Sequence, residues 1–112
     1  MKKLSLTVRR EVSENNKKIY CVVGFSALSK EELPQKYLEG PGPAVYFCQE
    51  YDRLWIKSPM PNLSIGDCIS EAKYEEYKRY LEQAAANLHA IRCEREEMAK
   101  SWHGEICVVF CN

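Results

Sequence analysis

Residues 74–102, "YEEYKRYLEQAAANLHAIRCEREEMAKSW", carry the pattern that decides the fold of this 112-residue chain. Apolar side chains recur here at alternating steps of three and four, which is the spacing of one face of an α-helix. Ser70 is a suitable N-cap and Glu71 lies in the first turn, so we expect one helix over about residues 70–101. The apolar stripe, broken by Arg95, consists of Tyr74, Tyr77, Leu81, Ala84, Leu88, Ile91, Met98 and Trp102.

The segments on either side of this helix have the patterns of β-strands and turns. The first two predicted strands form a hairpin over residues 3–25, and a capping box of Ser29 and Glu32 precedes a short helix that Pro34 limits. The last predicted strand has a continuous apolar run, which favours a central or buried position. The predicted strands are "LSLTVRREV" (4–12), "IYCVVGF" (19–25), "AVYFCQE" (44–50), "RLWIK" (53–57) and "EICVVF" (105–110), with a short extended run in "LSIGDCI" (63–69).

This order, ββ–α–ββ–α–β, predicts a single α+β domain over residues 1–112. We expect two layers, with the long helix lying across an antiparallel or mixed sheet of about five strands. The helix would be roughly 48 Å long, whereas a domain of this size is roughly 34 Å across. The predicted helix therefore overhangs its own domain, and the overhang favours a docking role.

Composition excludes some classes of protein and favours others. Sixteen basic and sixteen acidic residues cancel, so no strong overall field attracts nucleic acid or a membrane. No apolar run reaches the roughly 20 residues that span a bilayer, and no apolar segment follows the basic start as in a signal peptide. We therefore expect a cytoplasmic protein with no membrane association, whose six cysteines are reduced thiols. The residue spacings predict no metal and no cofactor.

The middle of the long helix is the predicted partner surface. Residues 83–93, "QAAANLHAIRC", contain one full charge, and a helical segment without charge is usually covered on two sides. One cover is the sheet; the other is another part of this chain or a protein partner, and a second copy would give a homodimer through residues 84–93. The interface candidates are Tyr80, Ala86, His89, Ala90 and Cys93.

Two other functions remain open from the residues alone. Arg9, Arg10, Lys17 and Lys18 flank the turn of the hairpin, and a two-stranded ribbon can enter a nucleic-acid groove. A small Cys/His enzyme would use His103 as a base and Cys107 or Cys68 as the nucleophile. Between these and a non-enzymatic protein-binding function, the sequence favours protein binding, and it favours no catalytic residue.

Residues 63–77, "LSIGDCISEAKYEEY", resemble a short pattern of small phage and prophage accessory proteins. The pattern is a strand, a Gly-Asp turn, and an Ile-Ser pair that caps an acidic helix with spaced tyrosines. Such proteins include anti-CRISPR and other anti-defence inhibitors. The resemblance implies a compact α+β inhibitor that binds a bacterial defence complex in the host cytoplasm and has no chemistry of its own.

Overall fold

The computed structural model describes residues 4–95 and 109–111, with side chains described from Leu4 to Arg92. An α+β architecture with one long helix is confirmed, whereas the number of strands and sheets differs from the prediction. The elements are β1 (Ser5–Val12), β2 (Lys18–Ser26), α1 (Gln35–Glu39), β3 (Val45–Cys48), β4 (Arg53–Ile56), β5 (Leu63–Ser64), β6 (Cys68–Ser70), α2 (Glu71–Arg95) and β7 (Val109–Cys111).

The strands form two sheets instead of the predicted single one. Sheet A has the order β6-β2-β1-β7, and sheet B has the order β3-β4-β5. The predicted hairpin is present as the antiparallel pair β1–β2. β7 pairs with β1 in parallel and lies at the end of the strand order among the described strands, not in a central position. Residues 105–108 of the predicted last strand lie outside the described residues.

Residues 63–70 explain the additional strands. The sequence predicted one extended run here, but the chain turns at Gly66, which has a φ of +98° that favours glycine. The Asp67 carboxylate accepts a hydrogen bond from the Ser64 N–H at 2.8 Å and stabilises the turn. As a result β5 joins sheet B and β6 joins sheet A, so this segment links the two sheets.

The short helix does not lie where the capping box predicted it. Glu32 does reach back to Ser29, whose N–H donates to its carboxylate at 3.1 Å. However, residues 30–32 form only a single 3-10 turn, since the residue before a proline is disfavoured in helical conformation and Leu33 is extended. The α-helical turn, α1, begins directly after Pro34.

The apolar stripe of α2 forms the core with both sheets. The Ser70 hydroxyl accepts the N–H of Lys73 at 3.2 Å, so the predicted N-cap is confirmed. Leu6, Leu54 and Leu81 are fully buried and join β1, β4 and α2 in one cluster. Further along the helix, a second cluster consists of Leu33, Tyr37, Ala44, Leu88 and Ile91.

The two sheets also account for the length of the helix. α2 has 25 residues and is about 38 Å long. Its first turns lie on sheet A, where Tyr74 stacks on Tyr20 with ring centroids 4.1 Å apart, and its later turns contact α1. Buried positions recur from Tyr74 to Ile91, so this part of the helix lies against the rest of the domain. The predicted continuation beyond residue 95 lies outside the described residues. Within the described ranges, no helix is both long and apolar enough to cross a bilayer.

Candidate functional site

The predicted partner surface on α2 is only partly open. Ala84, Ala85 and Leu88 are buried by the chain itself. Asn87 donates a hydrogen bond to the carbonyl oxygen of Pro43 at 2.9 Å, so the loop before β3 covers one flank of the helix. The remaining candidates Ala86, His89 and Ala90 lie at the surface, and the Cys93 side chain lies outside the described residues.

Tyr80, which we expected to be the exposed hot-spot tyrosine, is half-buried and packs against the core. Its hydroxyl donates to the Lys57 carbonyl oxygen at 2.7 Å and accepts the Ala44 N–H at 3.3 Å. The pKa of Tyr80 is raised, chiefly because burial penalises the phenolate. The helical spacing of Tyr74, Tyr77 and Tyr80 could not show this, because the hydroxyl partners are the residue before β3 and the residue after β4, both far away in sequence.

The four cations of the hairpin do not converge on one surface. Arg9 forms an ion pair with Glu11 at 2.6 Å, whereas Arg10 is the next residue along the strand and lies on the opposite face of the sheet. Lys17 and Lys18 line a cleft of about 480 Å³ between the hairpin turn and the start of α2, next to Glu71. Carboxylates therefore lie close to cations at both places, which weakens the electrostatic case for nucleic acid.

A surface that the sequence did not single out lies on sheet B. We call Tyr46, Tyr51, Arg53 and Trp55 the aromatic–arginine face. Tyr46 and Trp55 are cross-strand partners whose rings stack with centroids 4.6 Å apart. The Arg53 guanidinium lies 5.9 Å from the centroid of the Tyr51 ring, within the range of a cation–π contact.

The strand pairing explains why these side chains share a face. In β4, Leu54 and Ile56 point into the core cluster that β4 shares with β1 and α2, so the alternating residues Arg53 and Trp55 lie on the other face of the sheet. The Tyr46 and Trp55 rings are half-buried there, because they pack against the second cluster. Arg53 is further held by a hydrogen bond from its Nε to the Ser64 hydroxyl at 3.3 Å. Tyr51 precedes Asp52, whose left-handed backbone (φ 48°) closes the turn between β3 and β4. The face is thus held in place before any partner binds.

The charges around the aromatic–arginine face are mostly negative. Glu50 and Asp52 flank Tyr51, and both are exposed. The pKa of Tyr46 is raised, first by burial and then by the nearby Cys48 and the Glu31 carboxylate. Arg53 supplies a positive charge within the face, and Lys30 adjoins Glu31 in the chain. The surroundings of the two tyrosines therefore favour a cationic ligand.

Tyrosine, tryptophan and arginine are the residue types most enriched at binding hot spots. Two half-buried aromatic rings and one tyrosine that is 66% exposed give this face an apolar area with polar edges. The period-two alternation in "RLWIK" (53–57) could have indicated this face, because Leu54 and Ile56 mark one side of the strand and leave Arg53 and Trp55 on the other.

The residues of the enzyme hypothesis are only partly described. His103 and Cys107 lie outside the described residues, so their distance from Cys68 is not part of this structure. Cys21, Cys48 and Cys68 are free thiols; Cys21 is buried, Cys48 half-buried and Cys68 exposed. Within residues 4–95 and 109–111, no three His, Cys, Asp or Glu side chains come together as a metal site would need.

Comparison of the chain with protein-family models, with curated proteins and with solved structures gave no match. The resemblance of residues 63–77 to phage accessory proteins therefore has no support from these comparisons.

Proposed function

We propose that this chain is a non-enzymatic protein-binding module and that its aromatic–arginine face binds a cationic segment of a partner protein. The observation that carries the proposal is the fixed arrangement of Tyr46, Tyr51, Arg53 and Trp55 on one side of sheet B. Preorganised aromatic side chains lose little conformational entropy on binding, which raises affinity.

The cationic nature of the ligand follows from the charges. A lysine or arginine of the partner would gain cation–π attraction over the side of the Tyr51 ring opposite Arg53, since this tyrosine is 66% exposed. It would also lie close to the carboxylates of Glu50 and Asp52, the residues immediately before and after that tyrosine. A partner of this kind on a larger bacterial complex would agree with the inhibitor function that the resemblance of residues 63–77 implies. That part of the proposal rests on the resemblance and not on the geometry.

The test is differential capture from a bacterial lysate, with the bound proteins identified by mass spectrometry. The first variant combines Tyr51→Ala with Glu50→Gln and Asp52→Asn, because asparagine also accepts the left-handed backbone at residue 52. The matched control combines Val12→Ala with Lys17→Gln and Lys18→Gln on the hairpin, where Val12 is 67% exposed.

We expect that some proteins are captured by both the wild type and the hairpin control but not by the variant of the aromatic–arginine face. Their binding should weaken with salt, since exposed charges are screened. An arginine-rich peptide should compete with these proteins for binding, whereas a glutamate-rich peptide of equal length should not. Equal capture by the face variant would contradict the proposal.

A further inference from the structure

Cys21 and Cys68 face each other across two neighbouring strands of sheet A. They are direct partners in the antiparallel register of β2 and β6, flanked by the pairs Tyr20–Ile69 and Ile19–Ser70. Residues directly opposite in an antiparallel pair have Cα atoms about 4.5–5.5 Å apart and side chains on the same face. A disulfide needs Cα atoms about 4.4–6.8 Å apart. The register thus matches disulfide geometry without a shift of the backbone.

The two thiols differ in their surroundings. Cys21 is buried and donates a hydrogen bond to the Glu11 carboxylate, with 3.6 Å between sulfur and oxygen. Cys68 is exposed, lies on the edge strand of the sheet and lines a cavity of about 280 Å³ that also includes Asp67, Lys73 and Tyr77. A small thiol reagent can therefore reach Cys68 directly, whereas the buried Cys21 is shielded from it.

We infer that Cys21 and Cys68 are a redox modification site, which a low-molecular-weight disulfide such as oxidised glutathione converts reversibly into an intramolecular disulfide. This inference does not depend on the proposed partner or on the aromatic–arginine face. It assigns different roles to the two sulfurs, Cys68 as the attacking thiol and Cys21 as the resolving thiol.

The reaction has two exchange steps. The Cys68 thiolate attacks one sulfur of oxidised glutathione, the glutathione S–S bond breaks, and one glutathione thiolate leaves. Cys21 then loses its proton, its sulfur attacks the Cys68 sulfur of the mixed disulfide, and the second glutathione leaves. In total the two protein thiols give up two electrons and two protons, and one oxidised glutathione becomes two reduced glutathione molecules.

The environment of Cys21 makes the second step sensitive to pH. The pKa of Cys21 is raised to about 11, first by hydrogen bonding with Cys68, then by burial, and then by the charges of Cys68 and Glu11. Among the described residues, Arg9 lies opposite Cys21 on β1 and is paired with Glu11, and Asp67 and Lys73 line the cavity beside Cys68. In the reduced protein Cys21 is therefore protonated at neutral pH. In the mixed disulfide the Cys68 sulfur no longer ionises, so burial and Glu11 are the causes that keep the pKa of Cys21 raised, and closure of the disulfide should accelerate as the pH rises above neutral.

The disulfide would also act on the fold around it. β6 has only three residues and continues directly into α2 at Glu71. Linking Cys68 to Cys21 fastens this short edge strand, and with it the start of the helix, to the central strand β2.

The experiment treats the folded protein with oxidised glutathione, quenches it with acid, and maps the disulfides by digestion and mass spectrometry. We expect a Cys21–Cys68 linkage that reduced glutathione reverses, and a much smaller share of this linkage when the chain is oxidised in urea. Cys21→Ser should stop at a mixed disulfide of Cys68 with glutathione. Cys68→Ser should leave Cys21 unmodified, and Cys48→Ser, a half-buried thiol on sheet B, is the matched control that should behave like wild type.

Glu11→Gln tests the assigned roles, because it removes one cause of the raised pKa of Cys21 while both cysteines stay in place. The closure rate should then reach its plateau at a lower pH than in the wild type, with the first exchange step unchanged. The inference is overturned if the folded and the urea-unfolded chains give equal shares of the linkage. It is also overturned if Cys21 reacts as fast in Cys68→Ser as Cys68 does in the wild type.

Discussion

The hydroxyl of Tyr80 donates a hydrogen bond to the carbonyl oxygen of Lys57 at 2.7 Å and thereby ties the middle of α2 to the end of β4. The Tyr80 hydroxyl oxygen in turn accepts a hydrogen bond from the N–H of Ala44, the residue before β3. One side chain thus satisfies two backbone groups at the edge of sheet B. Tyr80, which the sequence pattern suggested as a contact for a partner, therefore belongs to the contact between α2 and sheet B.

Tyr80→Phe should lower the free energy of unfolding by about 1–3 kcal/mol, because the Lys57 carbonyl and the Ala44 N–H lose a partner while the ring stays in place. Urea denaturation followed by circular dichroism measures this difference. Tyr51→Phe is the matched control: this tyrosine is 66% exposed, and its change should stay within about 0.5 kcal/mol. Equal effects of the two substitutions would mean that the Tyr80 hydroxyl has no structural role.

Tyr77 should make the stability of the protein depend on pH in the alkaline range. Burial, followed by the charges of Asp67 and Glu76, raises its pKa to about 12 from an ordinary 10, and its hydroxyl donates to the Pro61 carbonyl oxygen. The folded state therefore holds this proton more tightly than the unfolded state does. The stability that this difference contributes is fully present below pH 10 and is lost as the pH rises from 10 to 12.

Urea denaturation at several pH values between 8 and 12 should show this loss in the wild type. Tyr77→Phe should be less stable at pH 8, because the hydrogen bond is gone, and should have a flatter pH dependence above pH 10. An unchanged slope in the variant would show that other groups cause the alkaline loss.

The homodimer through residues 84–93 stays a prediction, and the structure shows where to test it. Ala86 and Ala90 are exposed and one helical turn apart, whereas Ala84 and Ala85 are buried. Ala86→Glu with Ala90→Lys should leave the chain folded, because such a pair stabilises a helix by about 0.2–0.5 kcal/mol. Light scattering should report a dimer for the wild type and a monomer for the double variant. A monomeric wild type would rule out the homodimer hypothesis.

The nucleic-acid hypothesis makes a separate prediction for the hairpin. Replacing Arg9, Arg10, Lys17 and Lys18 by Gln should change stability by no more than about 1 kcal/mol, since all four are exposed and the Arg9–Glu11 ion pair is at the surface. Fluorescence anisotropy with labelled DNA or RNA would then compare binding at several salt concentrations. A binding constant that falls steeply with salt in the wild type, and is weaker and less salt-dependent in the variant, would support phosphate contacts. No binding by the wild type would contradict them.

Local patterns in the sequence predicted the parts of the fold whose geometry is local. The spacing of three and four identified the buried side chains of α2 from Tyr74 to Ile91 with the exception of Ala85, because an α-helix returns to the same face every 3.6 residues. Ser70 as the N-cap and residues 3–25 as a hairpin were readable for the same reason, since each depends on neighbours only a few residues away.

The features that the sequence did not reveal depend on contacts between distant segments. Residues 63–70 look like one strand, and only the turn at Gly66, placed between two sheets, divides them into β5 and β6. The partners of the Tyr80 hydroxyl are 23 and 36 residues away, and no periodicity encodes such a distance.

The sequence by itself thus determined which side of α2 is apolar, where this helix begins, and which strands form the first hairpin. Tertiary structure alone decided that the Tyr80 hydroxyl binds the backbone beside sheet B, that Tyr46 and Trp55 stack, and that Cys21 lies opposite Cys68. For Tyr80 the physical reason is how α2 packs against sheet B. For the other two pairs it is strand register: a shift of one residue between two strands would send these side chains to opposite faces, and the register is set by how the cores of both sheets pack against the helix.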